Sequence, residues 1–410
     1  MRNCIRLFLP TLVGCAVIAL FAHFWITDRL GVLRLLYPVQ ALLTQPTLQC
    51  SPHAPAWMQT AMHTALWDNA SPASQIAYSA PDGSLHHCEH GWQDQPLLSP
   101  RVNEHSRFRY ASMTKLLTAD AVLRQRQAGT LALDTPILAW LPPIPALRDE
   151  RIARITVEDL LRHSAGFDRL RSPDPMVIHA TRPWCPGELA QLARARLDFD
   201  PGTRHAYSNL NYCLLGVILE QATHTGFRDL LEREYGLAAR GIRFVDGPYL
   251  ADEVRYDFRN SDFYGPDYSR HFDFAALSSS AGLSGSASAL AALLAELHRQ
   301  GKGLLTRYDV AADCRQDALR DCYGHAVFPY KAGDGDLRVH VQPGFLYAAS
   351  SVAILDERGG VTVWIGNGMK RGGSSTDDMT LALYRALDAH YARPGAGSGT
   401  AAVLAPVGAD

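Results

Sequence analysis

The chain has 410 residues, with 39 basic and 41 acidic side chains and a formal net charge of −2. This length suffices for one large domain or for two to three ordinary ones, and a hydrophobic content of 47% excludes wholesale disorder. Because nucleic-acid binding depends on neutralising phosphates, the near-zero net charge gives no reason to expect a nucleic-acid partner.

The amino terminus combines two arginines with a long apolar segment. Arg2 and Arg6 precede an apolar run over Leu7–Ile26. An α-helix of that length spans about 30 Å, the thickness of the hydrocarbon core of a bilayer. We therefore expect residues 1–26 to be a membrane anchor. Because arginines stay on the cytoplasmic side, the chain would cross the inner (cytoplasmic) membrane once and place its bulk on the periplasmic side.

Two alternatives for this segment stay open. It is longer than a usual signal peptide and has no clear small-x-small cleavage site, but a cleaved signal segment would also export the chain. The sequence Leu12-Val13-Gly14-Cys15 resembles a bacterial lipobox, so lipidation at Cys15 is the second alternative. All three interpretations place the bulk of the chain outside the cytoplasm.

Cysteine usage is compatible with export. Apart from Cys4 and Cys15, the chain contains Cys50, Cys88, Cys185, Cys213, Cys314 and Cys322. Cys314 and Cys322 are near neighbours, so we expect a local disulfide there. A bridge between Cys50 and Cys88 is our second prediction. Cys213 lies in an apolar run and is equally compatible with a buried thiol.

The pattern along the chain predicts four parts after one another. The anchor is followed by a stalk over residues 27–54 and by one folded body over residues 55–393. Residues 394–410 are rich in Ala and Gly and predict a disordered tail. Within the body, alternating apolar residues bounded by turn signals predict β-hairpins at 75–92 and 352–365.

The fold class that follows for the body is α/β (α+β). Its two sheet-forming segments are about 55–130 and 276–393, because strand patterns occur only near the two ends of the body. Residues 131–275 between them show short helical patterns and predict an inserted, mostly helical region. A helix is also predicted from Ser112 to about Gln127.

A possible nucleophile stands at the start of that helix. Ser112 and Lys115 form an S-x-x-K motif. A serine at a helix start exposes its hydroxyl, and its own N–H lacks an intrahelical partner. The lysine lies one turn away on the same face, and burial would favour its neutral, basic form. Only four lysines occur in the chain, so a lysine in a motif is notable, although S-x-x-K alone is a weak signal.

A second candidate segment is Tyr207-Ser208-Asn209, just before an apolar helical run. A phenol beside a cation can act as a general base near neutral pH. Asn209 offers an amide that both donates and accepts, and it can orient a substrate or the lysine.

With these motifs in this order, the sequence resembles the serine β-lactamase-related hydrolases, the group of class C β-lactamases, DD-peptidases and β-lactamase-like esterases. The resemblance runs from about Gln75 to about Arg385 and includes the text around the motifs. The further matching phrases lie at 118–123, 131–136, 155–167 and 280–286. It implies a β-lactamase/transpeptidase-like fold, with an antiparallel sheet flanked by helices.

The resemblance also implies roles for the motif residues. Ser112 would be the acylated nucleophile, with Lys115 and Tyr207 sharing the proton transfers as general base and acid. A third motif on an edge strand, usually Lys/His-Thr-Gly, would supply a backbone N–H to the oxyanion hole together with the N–H of Ser112. No cofactor or metal is implied.

The third motif departs from the family pattern, and two registers compete. The favoured register puts Gln342-Pro343-Gly344 in the motif position, with Phe345 as the oxyanion donor and glycine where backbone and ligand approach closely. The other uses His340, which leaves Gln342 to crowd the ligand. In the favoured register a neutral amide replaces the usual cation, and it would bind a substrate carboxylate more weakly.

The expected function is therefore an extracytoplasmic, membrane-tethered serine hydrolase acting on small esters or amides. Asn209, Gln342, Gly344 and Phe345 are its expected substrate-binding residues. A β-lactamase or a D-Ala-D-Ala carboxypeptidase is the alternative, since an arginine elsewhere could bind the carboxylate. A slowly acylating ligand sensor without turnover is a further alternative, motivated by the atypical third motif.

Overall fold

The structure is a computed structural model that describes residues 2–172, 174, 176–178, 181–247, 249–261, 265, 267–299, 314–372 and 374–392, with side chains from Leu12 onward. The described helices are α1 (Arg2–Thr27), α2 (Arg29–Leu35), α3 (Tyr37–Thr44), α4 (Ala56–Trp67), α5 (Thr114–Gln127), α6 (Val157–Leu161), α7 (Asn209–Thr223), α8 (Phe227–Tyr235), α9 (Phe274–Ala281), α10 (Ala287–Leu297) and α11 (Ser375–Tyr391). The described strands are β1 (Gln49–Cys50), β2 (Ser74–Ser79), β3 (Leu85–His90), β4 (Phe108–Arg109), β5 (Arg243–Phe244), β6 (Leu283–Gly285), β7 (Phe328–Tyr330), β8 (Val339–Leu346), β9 (Ala349–Asp356) and β10 (Val361–Gly366).

In the described part of the chain, seven strands form one antiparallel sheet in the order β1-β3-β2-β10-β9-β8-β7. Both predicted hairpins are confirmed, since Ser79 pairs with Leu85 and Leu355 pairs with Val361. The central strands β2, β9 and β10 are buried along their whole length, so both of their faces are covered by other parts of the chain.

Helices cover both faces of this sheet. On one face, α4 and α11 pack against the sheet through a cluster that includes Met58, Ile76, Trp364 and Met379. On the other face, α10 packs against β2 and β10, and the larger core extends from there to α5 and α7. This arrangement of an antiparallel sheet flanked by helices confirms the predicted fold class.

Residues 131–275 contribute helices and 3₁₀ turns to one side of the sheet. Among the described residues of this range, none belongs to the seven-stranded sheet. The short strand β5 pairs instead with β6, and β6 pairs with β4 just before Ser112. This small sheet connects the inserted region to the segment that carries the S-x-x-K motif.

The segment 27–54 differs from the expected stalk, because it packs onto the body. The Nη1 of Arg259 donates to the carbonyl of Leu33 at 2.9 Å, and Ala41 is fully buried. β1 then joins the edge of the main sheet, with Gln49 opposite Glu89. The sequence gives short polar and apolar patches here, and their burial depends on contacts with residues more than 200 positions away.

The apolar amino-terminal segment forms α1. Within the part of the chain whose side chains are described, no single helix is long and apolar enough to cross a membrane. Leu12–Thr27 and Arg29–Leu35 meet the length and hydropathy requirement only together, and their axes are bent by 119°. The membrane anchor stays a prediction, and the predicted disordered tail at 394–410 lies outside the described residues.

The structure contains three disulfides in its described part. Cys314–Cys322 and Cys50–Cys88 confirm the two predicted bridges. The third joins Cys185 to Cys213, which decides the open question at Cys213 in favour of a bridge. It ties the loop before residue 189 to α7.

Candidate active site

Ser112 lies in a tight turn between a short strand and a helix. β4 leads into a 3₁₀ turn over Ala111–Met113, and α5 follows directly. Ala111 has a φ of 49°, a left-handed conformation that costs a non-glycine residue about 1 kcal/mol or more. Strain of this kind is common at functional sites, and here it turns the chain immediately before the nucleophile.

Lys115 is fully buried one turn after Ser112. Its Nζ lies 3.2 Å from the Oγ of Ser112, 2.7 Å from the Oδ1 of Asn209 and 2.8 Å from the carbonyl oxygen of Ser280. Burial lowers the pKa of this amine well below its ordinary value, and the charge of Arg169 lowers it further. Both effects favour the neutral amine, which is the form that can accept a proton.

Tyr207 approaches the same hydroxyl from a distant part of the chain. Its phenolic oxygen lies 2.7 Å from the Oγ of Ser112, and Lys115 Nζ lies 4.9 Å from the centre of its ring. Burial raises the pKa of Tyr207 to about 12, so the phenol is protonated at neutral pH. In this form the phenol has a proton that it can donate.

Asn209 connects the lysine to a carboxylate. Its Oδ1 accepts a hydrogen bond from Lys115, and its Nδ2 donates to the Oδ2 of Asp174 at 2.8 Å. Asp174 also accepts from the backbone N–H of Met176 at 2.9 Å. Because the carboxylate can only accept, it selects the amide orientation in which Oδ1 faces the lysine. Asn209 therefore orients the lysine.

The third motif lies on β8, beside the nucleophile. A Cβ placed on Gly344 would lie 2.6 Å from the carbonyl oxygen of Tyr110 and 3.1 Å from the backbone nitrogen of Ser112. Only glycine fits this contact without displacing backbone. The strand therefore passes directly against the N–H that is expected to form one half of the oxyanion hole.

Gln342 differs from the expected substrate-binding role. Its side chain is fully buried, and its Nε2 donates to the carbonyl oxygen of Ser112 at 3.1 Å. It shares a strand face with Gly344, because alternate residues point the same way. At Gln342 this face lies against the Ser112 turn, so the side chain is not among those that line the neighbouring cavity. Gln342 therefore stabilises the turn that carries the nucleophile.

The next residues of β8 line a cavity of about 350 Å³ that opens at Ser112. Pro343, Gly344, Phe345 and Leu346 are among its lining residues, and Phe345 is 45% exposed. His340 is paired with Leu355, four residues before Gly344 on the same strand, and it is not among the residues that line this cavity. The placement agrees with the register that puts Gly344 in the motif.

The cavity has charged walls that the sequence analysis did not identify. Arg169 and Arg320 line it together with Asp174 and His205. The Nε of Arg320 donates to Asp377 at 2.6 Å, so its charge is partly balanced. Arg169 forms no ion pair among the described residues, and its guanidinium lies 5.1 Å from the ring of Tyr207. Nothing in the local sequence marks these residues, since arginine is common throughout the chain.

The fold and this site define a serine hydrolase. A sequence model of the family described as Beta-lactamase matches residues 81–386, and the chain belongs to that family. The family resemblance and the hydrolase class expected from the sequence are confirmed.

Similar curated proteins carry several functional names. The chain is 38% identical over 361 residues to the probable fimbrial assembly protein FimD, serogroup H1, of Dichelobacter nodosus. The aligned region covers 88% of this chain and 90% of that protein. It is also 38% identical over 135 residues to esterase EstB of Burkholderia gladioli, and this shorter alignment covers 30% of this chain and 34% of the esterase.

Among solved structures, the D-amino acid amidase of Ochrobactrum anthropi SV3 superposes with a TM-score of 0.66 at 19% identity, covering 81% of this chain and 97% of the amidase. A β-lactamase/D-alanine carboxypeptidase of Yersinia pestis gives a TM-score of 0.64 at 17% identity, covering 79% of this chain and 94% of that protein. At these identities the likeness shows the fold.

Proposed function

We propose that the protein hydrolyses an ester or amide bond through an acyl-enzyme on Ser112. The observation that carries this proposal is the placement of two proton-transfer groups on one hydroxyl, with Lys115 at 3.2 Å and Tyr207 at 2.7 Å. Both distances are within reach for proton transfer to or from a positioned group. The hydroxyl opens on a cavity large enough for a small acyl group.

In the acylation step, neutral Lys115 takes the proton of Ser112 as the Oγ attacks the carbonyl carbon. The negative charge that develops on the carbonyl oxygen would be stabilised by the N–H groups of Ser112 and Phe345. Loss of one such donor typically costs about 3–4 kcal/mol of transition-state stabilisation.

Collapse of this intermediate breaks the bond to the leaving group. Tyr207 donates its phenolic proton to the departing oxygen or nitrogen and then recovers a proton that originated on Ser112. Water then attacks the acyl carbon and gives its proton to neutral Lys115, and this proton returns to the Oγ of Ser112 as the bond between Oγ and the acyl carbon breaks. The raised pKa of Tyr207 and the lowered pKa of Lys115 support this assignment of acid and base.

We favour neutral esters or amides as substrates, because the third motif lacks the cation that binds a substrate carboxylate in the family. The resemblance to an esterase supports this class. A second candidate is a carboxylate-bearing β-lactam or D-Ala-D-Ala peptide. It is favoured by Arg169, whose guanidinium lines the cavity without an ion pair among the described residues.

The deciding experiment is a side-by-side turnover screen of a nitrophenyl ester, a chromogenic cephalosporin and a D-Ala-D-Ala peptide. Ser112→Ala should abolish turnover and the covalent mass that a fluorophosphonate adds. Ser74→Ala is the matched control, because this buried hydroxyl on β2 has no hydrogen-bond partner in the described structure. Wild-type protein that neither labels nor turns over any substrate would contradict the proposal. A stable Ser112 adduct without turnover would favour the sensor.

We further propose that residues 1–26 tether the protein to the inner membrane with the hydrolase on the periplasmic side. The exposed apolar side chains of α1 support this location, and so does the similarity to proteins that are named fimbrial assembly proteins. Protease added to spheroplasts should digest the body of the full-length chain, and a protected body would contradict the orientation.

A further inference from the structure

The outer faces of α2 and α3 expose an unusual amount of apolar surface. Of the twenty large hydrophobic side chains that are exposed in the described structure, fifteen lie between Leu12 and Leu43. Those beyond α1 form what we call the α2–α3 face, and they are between 39% and 79% exposed. The members of this face are Leu30, Leu35, Leu36, Val39, Leu42 and Leu43.

The opposite side of these helices is fixed to the hydrolase body. Ala41 is fully buried and Val32 is 8% exposed. The Nη1 of Arg259 donates to the carbonyl of Leu33, and the hydroxyl of Tyr37 donates to the carbonyl of Leu66. The α2–α3 face is therefore a rigid part of the body's surface, and a contact made by it would orient the whole domain.

The α2–α3 face is continuous with the apolar surface of α1. Leu36 lines the same crevice as Phe21, Trp25 and Ile26. The guanidinium of Arg29 lies 5.0 Å from the ring of Trp25, and Trp and Arg are typical of residues at the level of lipid headgroups. No Asp or Glu occurs between residues 29 and 49. The exposed carboxylate of Asp28, at the junction of α1 and α2, caps α2 by accepting from the N–H of Gly31.

We propose that the α2–α3 face lies in the interface of a phospholipid bilayer, so that the hydrolase is seated directly on the membrane surface. The proposal extends the tether proposed above. Amphipathic helices of this kind bury their apolar face about 5–10 Å into the headgroup and acyl boundary. A bilayer fits better than a second copy of the chain, because one continuous apolar surface includes α1, whose Ile18 and Ile26 are 69% and 82% exposed.

The test places a fluorescent bimane on single cysteines of the full-length chain. The test site is Leu42→Cys, and the control is Leu98→Cys, an 83% exposed leucine on a loop of the body. Both variants also carry Cys4→Ser and Cys15→Ser. A third protein with only Cys4→Ser keeps Cys15, which is free and exposed on α1, and its label reports the tether. The three disulfides leave no other thiol to label.

Each protein is reconstituted into phosphatidylcholine and phosphatidylglycerol vesicles. One set carries a nitroxide near the headgroup end of the acyl chain, which reports on position 42, and a second set carries it near the chain end, which reports on Cys15 at the bilayer centre. We expect lipid quenching at position 42 to exceed that at position 98 by at least about threefold, since only the former site would lie within the interface. Unchanged ester turnover shows that the variants are folded.

The other outcomes separate the two proposals. Quenching at Cys15 with position 42 equal to position 98 overturns the seated arrangement and leaves the tether. Absence of quenching at both Cys15 and position 42 overturns both proposals. Quenching at position 42 alone supports the seated arrangement and removes the tether. A label at position 42 that aqueous iodide cannot reach and lipid does not quench indicates a second copy of the chain, and it overturns the proposal.

Discussion

The phenolic oxygen of Tyr207 lies 2.7 Å from the Oγ of Ser112, although the two residues are 95 positions apart. The contact exists because Tyr207 closes a loop just before α7, whose first residue, Asn209, is bonded to Lys115. With its pKa raised to about 12 by burial, the phenol keeps its proton at neutral pH. It is therefore placed to donate when a leaving group departs from Ser112.

Tyr207→Phe should reduce ester turnover by roughly 10²–10⁴-fold, the usual contribution of a positioned proton donor. The measurement is kcat for substrates with poor and good leaving groups. A nitrophenolate needs little protonation, so its loss should be the smaller one. Tyr212→Phe is the control, because its hydroxyl donates to the carbonyl of Leu161 and not to Ser112. Equal losses in the two variants would refute the acid role.

Asp174 acts on the lysine through Asn209 and through its charge. Its negative charge raises the pKa of Lys115 against the larger lowering by burial. In Asp174→Asn an amide oxygen can still accept from Asn209, but the charge is lost, so the pKa of Lys115 should fall. The neutral base then persists to lower pH, and the acidic limb of the fluorophosphonate labelling rate should move to lower pH. A movement to higher pH would contradict this assignment.

Arg169 has the opposite effect on the same titration. Its positive charge lowers the pKa of Lys115, so Arg169→Gln should raise it and move the acidic limb to higher pH. The uncharged phosphonate probe reports the free enzyme, and it keeps this effect separate from any binding of a substrate carboxylate. Opposite movements in the Asp174 and Arg169 variants test the base role of Lys115, because an unrelated base would not respond in this pattern.

Arg169→Gln also tests the substrate class. If carboxylate-bearing substrates bind there, their KM should rise while the KM of a neutral ester stays unchanged, since the loss falls on ground-state binding of the anion. An equal change for both substrates would remove Arg169 as a carboxylate site and leave neutral esters as the favoured class.

Local features of the fold and site were predictable from the sequence. Alternation and turn residues predict the hairpins at 75–92 and 352–365, because strand pairing across a short loop depends mainly on adjacent residues. Ser112 and Lys115 are three residues apart, so helical geometry alone places them on one face. Tyr207 was a candidate from its chemistry, but its contact with Ser112 and that of Gly344 were expected only from the family resemblance, since both join distant parts of the chain.

Other features depended on packing that no local pattern encodes. The amide side chain of Gln342 is of a type that often binds ligands. In the structure it is bonded to the carbonyl oxygen of Ser112 instead, because the Ser112 turn packs against that face of β8. Asp174 meets Asn209 across a loop without periodicity. The sequence of residues 27–54 is typical of a stalk. Its packing onto the body is visible only in the structure, where residues such as Arg259 contact it. In each case a residue far along the chain decides the role.

Gly344 provides the sharpest steric test of the third motif. A Cβ at this position would lie 2.6 Å from the carbonyl oxygen of Tyr110, a backbone atom that cannot move without displacing the Ser112 turn. Gly344→Ala should therefore lower the free energy of unfolding by about 1–3 kcal/mol, as overpacking of buried contacts does. It should also slow acylation, because β8 must shift away from the Ser112 N–H.

Gly333→Ala is the matched control, since nothing lies within 4 Å of the added Cβ and the glycine has no positive φ. Thermal unfolding measures the stability of both variants, and fluorophosphonate labelling measures their acylation. If Gly344→Ala and Gly333→Ala have the same thermal stability and the same acylation rate, β8 does not pack closely against the Ser112 turn. The register with Gly344 in the third motif would then be wrong, and the second oxyanion donor would have to be sought elsewhere on the edge of the cavity.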